Sequence, residues 1–155
     1  MRLDYINTFI DSVADALEET SGAPVSRGAI KLRGESSARL DIAAVIGMTG
    51  DVDGRVIIEM DRVTALAISG NMNKEPSGEL DPLAMDTLRE LANILVARAV
   101  SALNDRSFVF RLTPPLLFTG ADLARSGRIN LESLMVPLHA NAGTINLHVA
   151  LTMNT

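Results

Sequence analysis

The sequence predicts an α+β fold, a mainly antiparallel β-sheet with packed helices, as one domain over residues 1–155. Three observations predict it. Apolar residues recur at helical spacing at the start of the chain and again in its middle. Runs rich in β-branched and aliphatic residues come in pairs joined by short polar turns. The strands within each pair are not separated by the crossover helices that parallel strands require. The length also suffices for a core that needs no staples. With 47% apolar and 21% charged residues, the composition excludes wholesale disorder.

The elements follow in order. Ile6, Phe9, Ile10, Val13, Ala16 and Leu17 lie at helical spacing, with Asp4, Asp11, Asp15 and Glu18 elsewhere, and Ser21-Gly22-Ala23-Pro24 ends that helix. Val25 to Leu32 alternates loosely and reads as a strand; Gly34 to Ser37 is a loop. Leu40 to Met48 and Val56 to Met60 carry the clearest β signal, and Thr49 to Gly54 suits a hairpin connection. Asp61 caps a helix bearing Val63, Leu66, Ala67 and Met72, and the polar stretch Asn71 to Gly78 is a loop. Asp81-Pro82 opens the strongest helix, running to about Leu103. Asp81 is a good N-cap, and Pro82 stands where a missing N–H costs nothing. Leu80 and Met85 are placed for a hydrophobic staple across that cap. Phe108 to Leu112 alternates, and Pro114-Pro115 interrupts. Leu131 to Leu138 and Thr144 to Met153 form a closing hairpin around Asn141-Ala142-Gly143.

Several functions are excluded or disfavoured by composition. No cysteine is present, so there is no disulfide framework, thiolate zinc site or cysteine nucleophile. The net charge of −5 argues against a nucleic-acid binder, which needs a basic stripe to neutralise phosphates. One tyrosine, four phenylalanines and no tryptophan leave little for base stacking. The acidic N-terminal stretch is neither a secretory signal nor a basic transit peptide. Every apolar run falls short of the roughly 20 residues a membrane span needs. A cytoplasmic protein is the expectation, and its mean hydropathy of +0.21 leaves apolar surface for a generous core or an oligomer interface. His139 and His148, neighbours if the last hairpin pairs them, lack the third ligand that catalytic zinc sites have, so no metal site is assigned. Asp51-Val52-Asp53-Gly54 lacks the remaining ligands of a calcium loop and reads as a turn.

The helix after Asp81 carries the functional information. At 100° per residue, Leu88, Leu91, Ala92, Leu95, Ala99 and Ala102 share an arc of about 100°, the expected core face. Asp86, Glu90, Asn93, Ala97 and Asn104 share an arc of about 60° on the opposite side. Asp86 and Glu90 are like charges at i,i+4, which is unfavourable by a few tenths of a kcal/mol. Glu90 has no basic residue three or four positions away, so a cation from outside the helix would suit it. Asn93 is a poor helix former at mid-helix. The same pattern fits a solvated helix face, with Asn93 bonded to a loop.

Glu90-Leu91-Ala92-Asn93 matches the E-x-x-N signature of the CheC/CheX/FliY phosphatases of bacterial chemotaxis, with Asp86 on the Asp/Ser that precedes the Glu by four. Tyr5-Ile6-Asn7-Thr8-Phe9-Ile10 resembles the opening of CheX-like members, and Ile46 to Val56 resembles their hairpin. The likeness spans roughly residues 4–153. It implies a CheC-like fold and a phosphatase acting on the aspartyl phosphate of a CheY-type receiver domain. On that reading Glu90 pairs with the receiver's lysine and Asn93 positions the attacking water. A carboxamide is no base, but it both accepts from and donates to water, and positioning is most of what phosphoryl transfer asks of a protein. Asp86 and Ala97 then belong to the partner-binding surface. Mg²⁺ comes with the phosphorylated receiver, and the chain has no cofactor of its own. The resemblance implies a homodimer and, since the first helix has no E-x-x-N, one site per chain. Ala97 stands where the family usually has Gly, and Pro114 and Pro115 fall just short of the family's proline spacing. These departures leave open a second reading, a catalytically silent receiver-binding or dimerisation module of the same fold.

Overall fold

The computed structural model describes residues 3–33, 41–104, 109–120 and 133–153. Among them, three helices pack on one face of an antiparallel sheet. The elements are α1 (Leu3–Ser21), β1 (Ser26–Arg27), β2 (Lys31–Arg33), β3 (Ile42–Gly50), β4 (Val52–Met60), α2 (Arg62–Asn73), α3 (Pro82–Asn104), β5 (Phe110–Leu112), β6 (Leu116–Thr119), β7 (Ser133–Ala140) and β8 (Gly143–Met153). The strand order is β1-β7-β8-β4-β3-β5, with β2 also on β7 and β6 also on β3. The expected α+β antiparallel architecture is what the chain adopts. Gly34 to Ser37, Phe108 and Leu131 lie outside the described residues.

Alternation along the central strands builds the core. Val56, Ile58 and Met60 of β4 face the helices with Ile42, Ala44, Ile46 and Met48 of β3 and Ile145, Leu147 and Val149 of β8. From α1, all six residues of the expected apolar stripe, Ile6 to Leu17, are buried in the same cluster. Ala43 and Ile57 turn to the other face, where Val45 and Phe118 pack on them.

Two expectations are corrected. Val25 to Leu32 is not one strand. β1 and β2 both pair with β7, but Gly28 to Ile30 face only Val136 and Pro137, which is a bulge. The cause is Pro137. Its carbonyl accepts from Gly28 N–H at 2.8 Å, so its missing N–H faces the same edge and the ladder cannot continue there. Pro114-Pro115 interrupts less than expected. Strand β6 resumes after it on β3, and Thr113 bridges the gap: its N–H donates to the Gly47 carbonyl at 2.9 Å and its hydroxyl oxygen accepts from Gly47 N–H at 2.8 Å. Helix α2 forms as expected and buries Thr64, Ala65, Ile68 and Ser69, leaves Leu66, Ala67 and Met72 half-buried, and exposes Val63. Small side chains won that face because the β7–β8 turn comes so close: a Cβ on Gly143 would collide with Thr64.

Both expected caps are present. Asp61 Oδ1 accepts from Thr64 N–H at 2.7 Å, and Asp41 Oδ2 takes the Arg62 N–H at 2.9 Å. Asp81 Oδ1 accepts from Ala84 N–H at 2.8 Å. Leu80 and Met85 on either side of that cap are half-buried. Helix α2 ends with Lys74 in the left-handed region (φ 56°), whose N–H returns to the Asn71 and Gly70 carbonyls.

Candidate functional site: the outer stripe of α3

Helix α3 is held on three sides. Residues Leu88, Leu91, Ala92, Leu95 and Ala99 are buried as expected, while Ala102 is only half-buried. Ala84, Thr87, Val96, Val100 and Leu103 are buried too. The buried arc therefore spans about 220° rather than 100° at 100° per residue. The added width comes from neighbours on both flanks. Arg98 bonds Glu19 of α1 at 2.7 Å. The Thr87 hydroxyl donates to the Leu83 carbonyl at 2.9 Å and lies 3.0 Å from the Asn73 amide of α2. A helix so held presents its remaining strip rigidly.

That strip carries Asp86, Glu90, Asn93 and Ala97, all exposed, with Asn104 at its end. The structure thus brings the four sequence-derived site residues onto one face. Asp86 and Glu90 are not equivalent. Arg89 holds Asp86 at 2.7 Å across an i,i+3 pair, both side chains well exposed. Glu90 has no ion pair among the described residues, and the Asn93 side chain bonds to no loop among them. A screened surface pair such as Asp86–Arg89 contributes well under 1 kcal/mol. Its consequence here is directional, because it answers one carboxylate and leaves the other for an external cation. Arg89 was legible in the sequence as the i+3 partner of Asp86, and attention to Glu90 alone missed it.

The stripe stands exposed on the outside of the helix. Two concavities lie elsewhere, an open one of about 520 Å³ over the end of α2 beside Gly70, Lys74 and Pro76, and one of about 120 Å³ between Leu17, Ile68, Met72 and Ala142. Neither is lined by Asp86, Glu90, Asn93 or Ala97. A protruding carboxylate and carboxamide cannot enclose a substrate, but they can enter the cavity of a partner that brings one.

The other candidates separate from this face. His139 stands opposite Thr144 and bonds its hydroxyl at 3.1 Å, while His148 stands opposite Met135. The two histidines are therefore not neighbours. His148 Nε2 instead meets Glu59 Oε1 at 2.6 Å, and both side chains are buried. Since Ile58 and Met60 face the helices, Glu59 points to the opposite sheet face, away from α3. The sequence reading missed this pair, whose only signal is a charged residue inside an apolar strand. Asp51 spends its carboxylate on Val109 N–H at 2.8 Å, and its own N–H donates to the Val109 carbonyl at 2.9 Å. It anchors a turn, as its sequence context suggested. Among the described residues no three of His, Cys, Asp and Glu are grouped to hold a metal ion. No helix among them is long and apolar enough to cross a membrane.

Comparison with known proteins places this architecture. The model of the family described as chemotaxis phosphatase CheX matches residues 42–139, which include the β3–β4 hairpin and all of α3. The CheY-P phosphatase CheX of Thermotoga maritima is 27% identical over 119 residues, covering 76% of this chain and 77% of that protein. The CheX of the CheX-CheY-BeF3-Mg+2 complex from Borrelia burgdorferi is 29% identical with a TM-score of 0.81, over 97% of this chain and 99% of that one. A CheC-like superfamily protein from Shewanella sp. PV-4 shares the fold at 23% identity, with a TM-score of 0.83 over 98% and 99% of the two chains. The chain belongs to the chemotaxis phosphatase CheX family.

Proposed function

We propose that this protein hydrolyses the aspartyl phosphate of a CheY-type receiver domain, with Glu90 and Asn93 as the residues that enter the receiver's active site. The observation that carries the reading is the outward pair itself. Glu90 and Asn93 are exposed on a helix held on three sides, with no partner among the described residues, in a family described as phosphatases. The relatives support it. One is a CheY-P phosphatase, and another was solved with CheY, Mg²⁺ and beryllofluoride, a tetrahedral stand-in for a phosphoryl group.

The chemistry asks little of this chain beyond placement. Water attacks phosphorus in line, the bond from phosphorus to the aspartyl oxygen breaks, and inorganic phosphate leaves with the receiver's carboxylate restored. Asn93 holds that water by accepting one of its protons in a hydrogen bond, which removes the entropy of orienting it. The attacking water's proton passes to a phosphoryl oxygen, so no general base on α3 is required. Glu90 pairs with the receiver's lysine and fixes the docking register. Asp86 and Ala97 flank the pair on the contact surface. Mg²⁺ belongs to the receiver and stabilises charge on the transferring group. The protein acts as a homodimer, which light scattering on the purified chain would test.

The test is loss of label from a Mg²⁺-bound phosphorylated receiver with and without the protein. Wild type accelerates it, and Asn93→Ala and Glu90→Ala each lower the acceleration at least about a hundredfold, the scale of a lost positioning contact. Both variants keep the wild-type melting temperature. Acceleration retained in Asn93→Ala refutes the assignment. A second reading, a silent receiver-binding module, is favoured by the exposed methyl of Ala97 in the stripe where the resemblance expects Gly. It predicts binding to the receiver with an unchanged phosphate lifetime.

A further inference from the structure

Leu83 is the second residue of α3, and 55% of its surface is open to solvent. At 100° per residue it lies about 20° from Glu90 and about 40° from Ala97, two turns or about 10.5 Å before Glu90. A large apolar side chain therefore stands on the same stripe as the carboxylate and the carboxamide, at its N-terminal end. The other exposed large apolar residues among the described ones, Leu32, Val63, Val109 and Leu116, lie off this helix. Nothing within α3 asks for leucine here. The Thr87 hydroxyl uses only the Leu83 carbonyl, and polar helix formers would serve the position equally well.

The stripe changes character along its length. Leu83 comes first, then Asp86 with Arg89, then Glu90 and Asn93, then the small Ala97 and the exposed Ser101. Its charged and polar members align a partner closely but gain little net affinity, because each must shed water to make contact. An apolar side chain beside them gains from desolvation without needing a matched donor or acceptor.

We propose that Leu83 is a specificity-determining apolar anchor, seated in an apolar depression of the receiver about two helical turns from its phosphorylated aspartate. The inference rests on the reading of Glu90 and Asn93 as the receiver-facing pair. Leu83 is too far from the reacting atoms to touch them, so it stabilises ground state and transition state alike and acts on KM rather than kcat. It also selects among receivers. One that is apolar at that distance binds, and one with a charge there is rejected because Leu83 would strip water from that charge.

The test compares wild type with Leu83→Ala, Leu83→Lys and Leu83→Met, using Asn93→Ala as the reference. Two readouts are taken on each protein. The first is the rate of phosphate loss against phosphorylated-receiver concentration, and the second is Kd for the receiver loaded with Mg²⁺ and beryllofluoride. Leu83→Ala raises both KM and Kd about tenfold, Leu83→Lys raises them further, and kcat moves less than about twofold in either. Leu83→Met stays near wild type. Asn93→Ala shows the opposite split, losing kcat and keeping Kd. Wild-type KM and Kd in both Leu83→Ala and Leu83→Lys, with unchanged circular dichroism, overturn the anchor and leave the phosphatase reading standing. If wild type binds without accelerating, the phosphatase reading falls and the Kd series alone decides Leu83. If wild type neither binds nor accelerates, both readings fall.

Discussion

Gly143 shows how a single residue can be fixed by a distant one. Its φ of +143° lies where side chains other than glycine's are strained, and a Cβ there would collide with Thr64 on α2. The turn before it needs only two residues, Asn141 and Ala142, and Ala140 pairs directly with Gly143. The Thr64 side chain thus packs directly on the backbone of the turn, which leaves Thr64 buried and Val63 exposed. Gly143→Ala should lower stability by about 2–4 kcal/mol, the sum of backbone strain and overpacking. Chemical denaturation would measure it. Adding Thr64→Ala should return part of the loss, since it removes the collision and leaves the strain. No recovery in the double variant would mean that the two residues do not press on one another. A loss below about 0.5 kcal/mol, the ordinary surface range, would argue against both effects.

At the scale of elements, legibility in the sequence followed the strength of local signals. Helix α1 was readable to the residue because its six apolar positions have one period and one place to go. The start of α3 was readable because Asp81-Pro82 states its chemistry locally. Helix α2 was placed correctly but its buried face was not legible, because the choice between Val63 and Thr64 is made by the β7–β8 turn, about 80 residues away along the chain. Strand β6 and the bulge in β1–β2 depend on where prolines of one strand meet another, which no window of sequence contains. The Asp61 cap, by contrast, is local and its pH behaviour can be worked out. The Thr64 hydroxyl and then the Thr64 N–H hold its carboxyl below the ordinary aspartate value of 3.8. A folded value below the unfolded one means that the cap's contribution is complete above the unfolded value. It is lost as pH falls through the folded one. Asp61→Ala should therefore weaken the protein by about 1 kcal/mol at pH 7. That gap should narrow below pH 3.8, with urea unfolding at pH 7 and pH 3 as the check. A gap of equal size at both pH values would show that the charge on Asp61 does not contribute.

Across the whole molecule, the proposed reactive stripe and the buried ionisable pair sit on opposite sides of the sheet. The residues proposed to act on a receiver stand on the solvent face of α3. The buried ionisable pair, Glu59 and His148, bridges β4 and β8 on the sheet face that α3 does not touch. The stripe was legible because it needs only one helix and its period. The pair was not, because it needs the β4–β8 register, in which Ile57 faces His148 and Glu59 faces Asn146, so the two bonded side chains meet on the diagonal. This separation makes a double dissociation the expected result. His148→Ala removes a buried hydrogen bond and leaves a cavity among close-packed strands, so stability should fall by about 2–4 kcal/mol. While the variant remains folded, its stimulation of receiver dephosphorylation should stay within about twofold of wild type, since no term of the transition state is lost. Asn93→Ala should do the reverse, changing stability by less than about 0.5 kcal/mol while removing the acceleration. Thermal melts and dephosphorylation rates on the same preparations measure both halves. Loss of acceleration in a fully folded His148→Ala protein would mean that the sheet's far face sets the geometry of α3, and the division of labour proposed for this fold would fail.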